Sequence, residues 1–474
     1  MSRPVGAVQS PSGPLSPEAG ERGPEWLTRA AVLAGLALRL WHYAADRTIW
    51  YDEAVLLANV LNRGWLQLVG PLDHAVAAPP LYLFLLKLVA VTCGDVQLCW
   101  RLTSLVAGVA GLLLTVPLCR RTLPPGCVAP CVWLVALSDN HVWHAVTVKP
   151  YAADALFTTL LLFGLVSTAH WPTGRRLLLL ATVAPPVLCA SYPMAFVLGG
   201  LLLALLPAAW RDRRRPAWLL TAVATAGTFA LLYVGPIRSQ RVPGLEVEHA
   251  DYFPSAVPPG WVPWWCVQHT AEVFQYCAMV GGLGLFLLAP VGVWANWRHR
   301  RELVVALVAP FALTLAAAGL KAYPYGLIRL MLFIAPCCLL LGGLGLAALA
   351  PWWRRRVAVG LVLATAPWSG WHVVRPYPRP DSSAVARHIR THRQPGDVVA
   401  SDEACYAYFF RGELLSLDAA KPLTGRLWVP MDHYTPAQRR WYVTELKLAG
   451  GGWVVAGEWT FRDAGLLLLE RPPP

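Results

Sequence analysis

Long apolar runs alternate with short clusters of arginine along this chain. Runs near the length that crosses a bilayer as a helix, about 20 residues, recur at 26–45, 101–119, 128–143, 150–170, 176–193, 194–210, 216–235, 271–295, 302–320, 327–350 and 357–374. They predict eleven spanning helices. One further apolar run, Pro79 to Thr92, is too short for a span and carries Lys87, so it predicts an interfacial or re-entrant helix. Beyond 375 the pattern shortens into segments typical of a small soluble α/β unit. It predicts helices at 381–393 and 435–448, and a strand from Asp397 to Ser401 after the Pro395-Gly396 turn. Further strands are predicted at Trp453 to Val455 and Gly465 to Leu469.

The fold class that follows is an α-helical polytopic membrane protein with a small C-terminal extracytoplasmic α/β domain. Residues 1–25 are rich in Pro, Gly and Ser, lack the basic start and apolar core of a signal peptide, and read as a disordered cytoplasmic tail. Residues 26–374 form the transmembrane domain with a long first outer loop at 46–100, and 375–474 the appended domain. No internal repeat is visible.

The arginine clusters set the expected orientation. They fall at Arg120/Arg121, Arg175/Arg176, Arg211 to Arg215, Arg298 to Arg301 and Arg354 to Arg356, and positive residues accumulate in cytoplasmic loops. Two spans separate each cluster from the next, so all five lie inside only if the run 79–92 does not cross. The N-terminus is then cytoplasmic and the C-terminal domain outside, in a membrane expected to be a bacterial inner membrane. Composition agrees: 56% of the 474 residues are hydrophobic and 14% charged, against about 25% charged in soluble chains. The net charge of +13 sits in these anchors rather than in a continuous basic stripe, which excludes nucleic acid as a partner. Eleven cysteines are present without metal-like spacing. Cys266, Cys277 and Cys405 fall on or near the oxidising face, and no pairing among them is specified.

Polar chemistry gathers in the outer loops. The first opens Trp50-Tyr51-Asp52-Glu53, where adjacent carboxylates on a helix point in different directions. They serve either a pocket or the helix macrodipole. Asp73 and His74 precede Pro79-Pro80, which suits a helix start. His74 can contact phosphate when protonated or ligate a metal when neutral. The second loop brings Lys149 before Pro150, with Tyr151 and Asp154 on one face of the next span. An ionisable residue at that depth is a functional candidate, or a structural partner for Lys149. His141 and His144 are three apart but too few for a metal site. A late loop offers Lys321, Tyr323, Tyr325 and Arg329, as binding groups or as an aromatic belt with snorkelling cations. His249, Asp251 and the tryptophans 261, 264 and 265 lie in the loop 236–268.

Taken together, these segments resemble the GT-C class of membrane glycosyltransferases. The likeness is to the glycosyltransferase family 39, dolichyl-phosphate-mannose-protein mannosyltransferase-like and lipid A aminoarabinose transferase-like groups. It is carried over about 26–350 by Trp50-Tyr-Asp52-Glu53-Ala, Ala78-Pro79-Pro80-Leu-Tyr82, Arg101-Leu-Thr-Ser-Leu-Val-Ala-Gly108, Val148-Lys149-Pro150-Tyr151 through Asp154, and Tyr323-Pro-Tyr325 with Arg329. The aminoarabinose group has His-Lys-Pro-Pro before its re-entrant helix; here Ala77-Ala78 stand before Pro79-Pro80, so that lysine is missing.

The resemblance implies transfer of a sugar from a polyprenyl-phosphate donor to an extracytoplasmic acceptor, with inversion and with Asp52 as base. The leaving group is already a phosphate, so the reaction needs a base for the acceptor hydroxyl and positive charge for the departing phosphate. Lys149 and Arg329 are the candidates for that charge, with His74 or a divalent metal as further ones. No cofactor is otherwise implied. Glu53, placed with Asp52 in the catalytic pair, and Asp73, Asp154, Tyr151, Lys321 and Tyr325 would position substrate or hold the cations. The competing classes are a transporter or lipid flippase and a non-catalytic scaffold. Transporters place ionisable groups near the midplane, whereas 101–119, 194–210 and 302–320 contain no acidic residue.

Overall fold

The computed structural model describes residues 25–45, 48–74, 76–240, 249–326, 328–375, 377, 379–432 and 452–471, with single positions 435, 437, 441 and 444. The expected N-terminal tail and most of the helix expected at 435–448 lie outside the described residues. The membrane domain is built from α1 (Glu25–Ala44), α2 (Tyr51–Asn62), α3 (Pro80–Cys93), α4 (Gln97–Thr122), α5 (Pro125–Leu137), α6 (Asp139–Ala145), α7 (Tyr151–Ser167), α8 (Thr173–Ala190), α9 (Met194–Arg211), α10 (Arg215–Leu232), α11 (Val262–Asn296), α12 (Arg301–Gly319), α13 (Ala335–Ala348) and α14 (Pro351–Val374). Among the described residues seven of these are long and apolar enough to cross a membrane: α4 and α9 to α14, with the short turns that adjoin α10, α11 and α13. The other four predicted spans are helices as well. α1 and α8 run 20 and 18 residues, and α5 and α7 run 13 and 17. The short run after Pro79 forms α3, with Pro80 in its first turn.

Several boundaries differ from expectation: α14 starts at Pro351 and takes in Arg354 to Arg356, the run from 327 becomes α-helical only at Ala335, and two further runs are broken. The run expected as 128–143 breaks after Leu137, because Ser138 is extended and α6 begins anew at Asp139. The carbonyls that end α5 are taken by side chains: Arg39 donates to Val135 and Ala136, and Ser369 to Leu137. The run expected as 271–295 starts earlier, at Val262, and is interrupted. Ala278 and Met279 leave helical geometry, Met279 with φ 52 in the left-handed region. Backbone groups freed in an apolar setting need partners. Asn140 donates to the Tyr276 carbonyl at 2.8 Å, and Thr365 to that of Ala278 at 3.1 Å.

α13 is the innermost helix, with every residue from Ala335 to Leu346 buried. Small residues let α11 approach it: a Cβ at Gly345 would lie 2.0 Å from the Leu288 carbonyl oxygen, and one at Gly292 2.4 Å from that of Leu341. The two ends of the bundle differ in chemistry. At one end Glu25 pairs with Arg120 at 3.7 Å, Arg300 donates to the Thr122 carbonyl at 2.5 Å, Thr173 donates to Asp212 at 2.5 Å, and Arg176 pairs with Glu302. Four of the arginine clusters are thus stitched together there. The other end carries α2, α3, α6 and the C-terminal domain.

That domain contains α15 (Ser382–His392), α16 (Tyr406–Phe409), α17 (Leu417–Ala420), β1 (Val398–Ala400), β2 (Leu414–Leu415), β3 (Gly425–Asp432), β4 (Val454–Phe461) and β5 (Ala464–Arg471). Strand order is β2-β1-β3-β5-β4, parallel where β1 pairs with β2 and β3, antiparallel where β5 pairs with β3 and β4. β5 has Ala464 to Leu469 all buried, as a central strand covered on both faces requires. β4, at the edge, alternates exposed and half-buried. One face of the sheet packs through α15 and α16 onto the first loop: Val385, Ile389, Tyr406 and Phe409 share a core with Val55, Leu56, Leu83 and Trp100.

Candidate active site

α2 starts where the chain turns back after α1, and Glu53 shapes that start. Its Oε2 accepts from the backbone N–H of Trp50 at 2.9 Å, the reciprocal contact of a capping box. The same carboxylate accepts from the Val148 N–H at 2.8 Å and from Arg379 at 2.9 Å, with Arg101 at 3.8 Å. Glu53 is fully buried. Burial alone would raise its carboxyl, but Arg379 and Arg101, with the two N–H donors, hold it below the ordinary value. Both oxygens of Glu53 are engaged, and its contacts pin the start of α2 to the segment before α7 and to the link into the C-terminal domain. Burial lowers the Arg379 guanidinium and Glu53 opposes the shift.

With Glu53 turned inward, Asp52 turns to the open side, as neighbours on a helix must. It is half-buried and pairs with Arg329 at 2.6 Å. Arg329 comes from Ile328–Ile334, a 3₁₀ segment that leads into α13. Lys149 lies on the same cluster. Burial pulls its ammonium below the ordinary value, Asp52 and Glu53 oppose that shift, and Arg329 adds to it. Among the described residues Lys149 forms no ion pair, with Asp154 or otherwise. The Tyr151 ring packs edge-on to His144 at 5.0 Å, and His144 Nε2 shares a hydrogen bond of 2.6 Å with the Tyr276 hydroxyl, one turn before the break in α11. Asp154, one turn deeper in α7, is buried, and its Oδ1 has no partner among the described residues.

The structure therefore gathers Asp52, Glu53, Lys149, Tyr151 and Arg329 at one end of the bundle, with Asp154 beneath. It does not bring Asp73 and His74 to them. Asp73 pairs with Arg63 at 2.8 Å, past the far end of α2 and roughly 16 Å from Asp52 at 1.5 Å rise per residue. His74 is exposed in the left-handed region, with φ 62. Asn59 fastens this stretch, donating to the Asp73 carbonyl and accepting from its N–H. Lys321 is exposed and without an ion pair among the described residues. Tyr325 is buried with its hydroxyl on that of Thr270 at 2.7 Å. Tyr323 donates to the Leu330 carbonyl at 2.9 Å, steadying the Arg329 segment. Trp265 donates to the Asp251 carbonyl at 3.0 Å, and His249 packs on Tyr252. The eleven cysteines are all free. No group of three or more His, Cys, Asp or Glu is placed to hold a metal among the described residues.

Several contributors carry no motif of their own. Arg379 lies in the link to the C-terminal domain and stacks 4.5 Å over the Trp143 ring. Tyr377, from the same link, donates to Asp139, which also bonds His372 at 2.9 Å. Gln240 accepts from the Ala78 N–H at 3.1 Å, and Tyr192 donates to the Ala78 carbonyl at 3.2 Å, fixing the start of α3. Only Arg101 had a signal, as the opening of the second-span segment.

The fold has counterparts among solved structures. ArnT from Cupriavidus metallidurans in the apo state superposes with a TM-score of 0.58, covering 93% of this chain and 98% of that one at 12% identity. The same protein bound to undecaprenyl phosphate superposes at 0.58 over 94% and 97%, also at 12% identity. The chain has the GT-C fold. The archaeal oligosaccharyltransferase AglB from Archaeoglobus fulgidus is similar at a TM-score of 0.49 and 11% identity, over 93% of this chain and 73% of that one. No protein-family model and no curated protein sequence matches the chain.

Proposed function

We propose that this protein transfers a sugar from a polyprenyl-phosphate donor to a hydroxyl-bearing acceptor on the outer side of the membrane. The observation that carries the reading is the Asp52–Arg329 pair at 2.6 Å, with Lys149 beside it. A phosphate leaving group needs cations, and two are present. An acceptor hydroxyl needs a base, and Asp52 is the one half-exposed carboxylate of the cluster. When donor phosphate enters, it competes for Arg329. That exchange releases the Asp52 carboxylate toward the acceptor at the moment the leaving group becomes neutralised. Attack opposite to the phosphate inverts the anomeric carbon. Glu53 acts as a positioning residue, since its oxygens already bind Trp50, Val148 and Arg379. The ArnT structure with undecaprenyl phosphate supports a lipid-phosphate donor.

The test is Asp52→Asn. The variant is expected to insert and fold normally and to lose transfer from radiolabelled polyprenyl-phosphate sugars by about 10²–10⁴-fold, the usual worth of a positioned base. Near-normal turnover removes Asp52 from the role. Sugar counterflow across proteoliposomes without transfer assigns the protein to transport instead.

A further inference from the structure

A polar cavity lies away from Asp52, where the segment between α3 and α4 meets the C-terminal domain. It measures about 230 Å³ and is lined by Asp95, Gln97, Ser383, Arg387, Arg390 and Tyr408, with Ala386 and Phe409. Ser383, Arg387 and Arg390 stand at i, i+4 and i+7 on α15, so one face of that helix forms one wall. The facing wall is the loop between α3 and α4. Gln97 reaches across to the Ser383 hydroxyl at 3.5 Å.

The charges do not cancel within the cavity. Asp95 accepts from Trp100 at 3.1 Å and Tyr408 at 2.6 Å, and pairs with Arg411 at 2.9 Å. Its carboxylate is therefore already engaged by a third arginine. Arg390 gives one N–H to the Phe409 carbonyl at 2.5 Å and lies 5.8 Å over the Phe410 ring, and its other N–H groups have no partner among the described residues. The Arg387 guanidinium has neither an ion pair nor a hydrogen bond among the described residues. Two guanidinium groups one helical turn apart, in a polar hollow, match the oxygens of a phosphate ester better than a single ammonium would.

The position of the cavity identifies where that phosphate comes from. α3 exposes Leu81, Leu85, Leu88 and Val91, an apolar stripe along one face of the helix. That stripe suits contact with acyl chains. Gly94 to Val96 then lead directly into the cavity, which places it at headgroup height. We propose that Arg387 and Arg390 bind the phosphate of an anionic membrane lipid, independently of the sugar-transfer site.

The test uses the full chain in detergent, titrated separately with phosphatidylglycerol, phosphatidylcholine and inorganic phosphate while unfolding temperature is followed. Arg387→Gln serves as the variant, because Arg387 supports nothing else and its loss leaves the lipid-free unfolding temperature unchanged. The expected result is stabilisation by phosphatidylglycerol and not by phosphatidylcholine. Apparent affinity falls by about ten-fold in the variant, the loss of one charge-assisted hydrogen bond. Rising salt weakens the effect. Arg213→Gln, an exposed arginine at the opposite end, behaves as wild type. If inorganic phosphate stabilises the wild type as well as phosphatidylglycerol does, the site takes phosphate without needing the lipid, and the lipid assignment is overturned. An equal phosphatidylglycerol response in wild type and Arg387→Gln removes the site altogether.

Discussion

At the scale of single residues, adjacent carboxylates have opposite fates because a helix turns by about 100° per residue. Glu53 goes inward to Arg379, Arg101 and two N–H groups, and Asp52 outward to Arg329. Glu53 has a depressed carboxyl. Its contribution is therefore present above the ordinary carboxylate range and is lost as pH falls below about 4, through the still lower folded value. Glu53→Gln removes that acid-side loss. It is also expected to destabilise the segments around α2 by about 3–5 kcal/mol, because Arg379 and Arg101 are left buried without their anion. Thermal unfolding against pH, in both forms, reads this out. Lys149 behaves in the reverse sense. Burial lowers its ammonium, so a rate that needs its charge falls on the alkaline side earlier than an exposed lysine would dictate. Lys149→Arg keeps the charge at high pH, and the alkaline limb of the rate profile should move upward. An unmoved limb removes Lys149 from the phosphate site.

At the scale of elements, what was legible followed from periodicity and what was missed followed from tertiary partners. Apolar runs located the eleven bundle helices and the short α3, because membrane helices must satisfy their own backbone. The charged groups that converge from Asp52, Lys149 and Arg329 were legible because each stands at the edge of an apolar run. Asp73 and His74 were not separable from them by sequence, since the length of α2 alone carries them away. The end of α5 depends on Arg39 and Ser369, from α1 and α14, and no local signal reports them. The break in α11 likewise depends on Asn140, whose amide holds the Tyr276 carbonyl at 2.8 Å. Asn140→Leu leaves that carbonyl unpaired, at a cost of about 1–3 kcal/mol. It should also shift Tyr276 away from His144, and so lower transfer more than it lowers stability. A purely structural role would move unfolding temperature alone.

At the scale of the whole molecule, the same arginines that anchor one end leave the other end free for chemistry. Arg120, Arg176 and Arg300 are tied to one end, while Asp52, Lys149 and Arg329 sit at the opposite one. If arginine-rich loops face the cytoplasm, the site faces outward, and a membrane-borne donor can approach from the outer leaflet. The C-terminal domain then shares the site's compartment and braces it through Arg379 and Tyr377. Two exposed positions separate the orientations: Lys321, just beyond α12, and Arg213, between α9 and α10. With the exposed Cys93 replaced by serine, Lys321→Cys should react with an impermeant maleimide in intact cells. Arg213→Cys should react only after permeabilisation. Labelling in the opposite order would place Asp52 and Arg329 in the cytoplasm, where an outer-leaflet donor could not reach them. A soluble nucleotide-sugar donor would then be the chemistry to test, since the two cations would serve a diphosphate leaving group equally well.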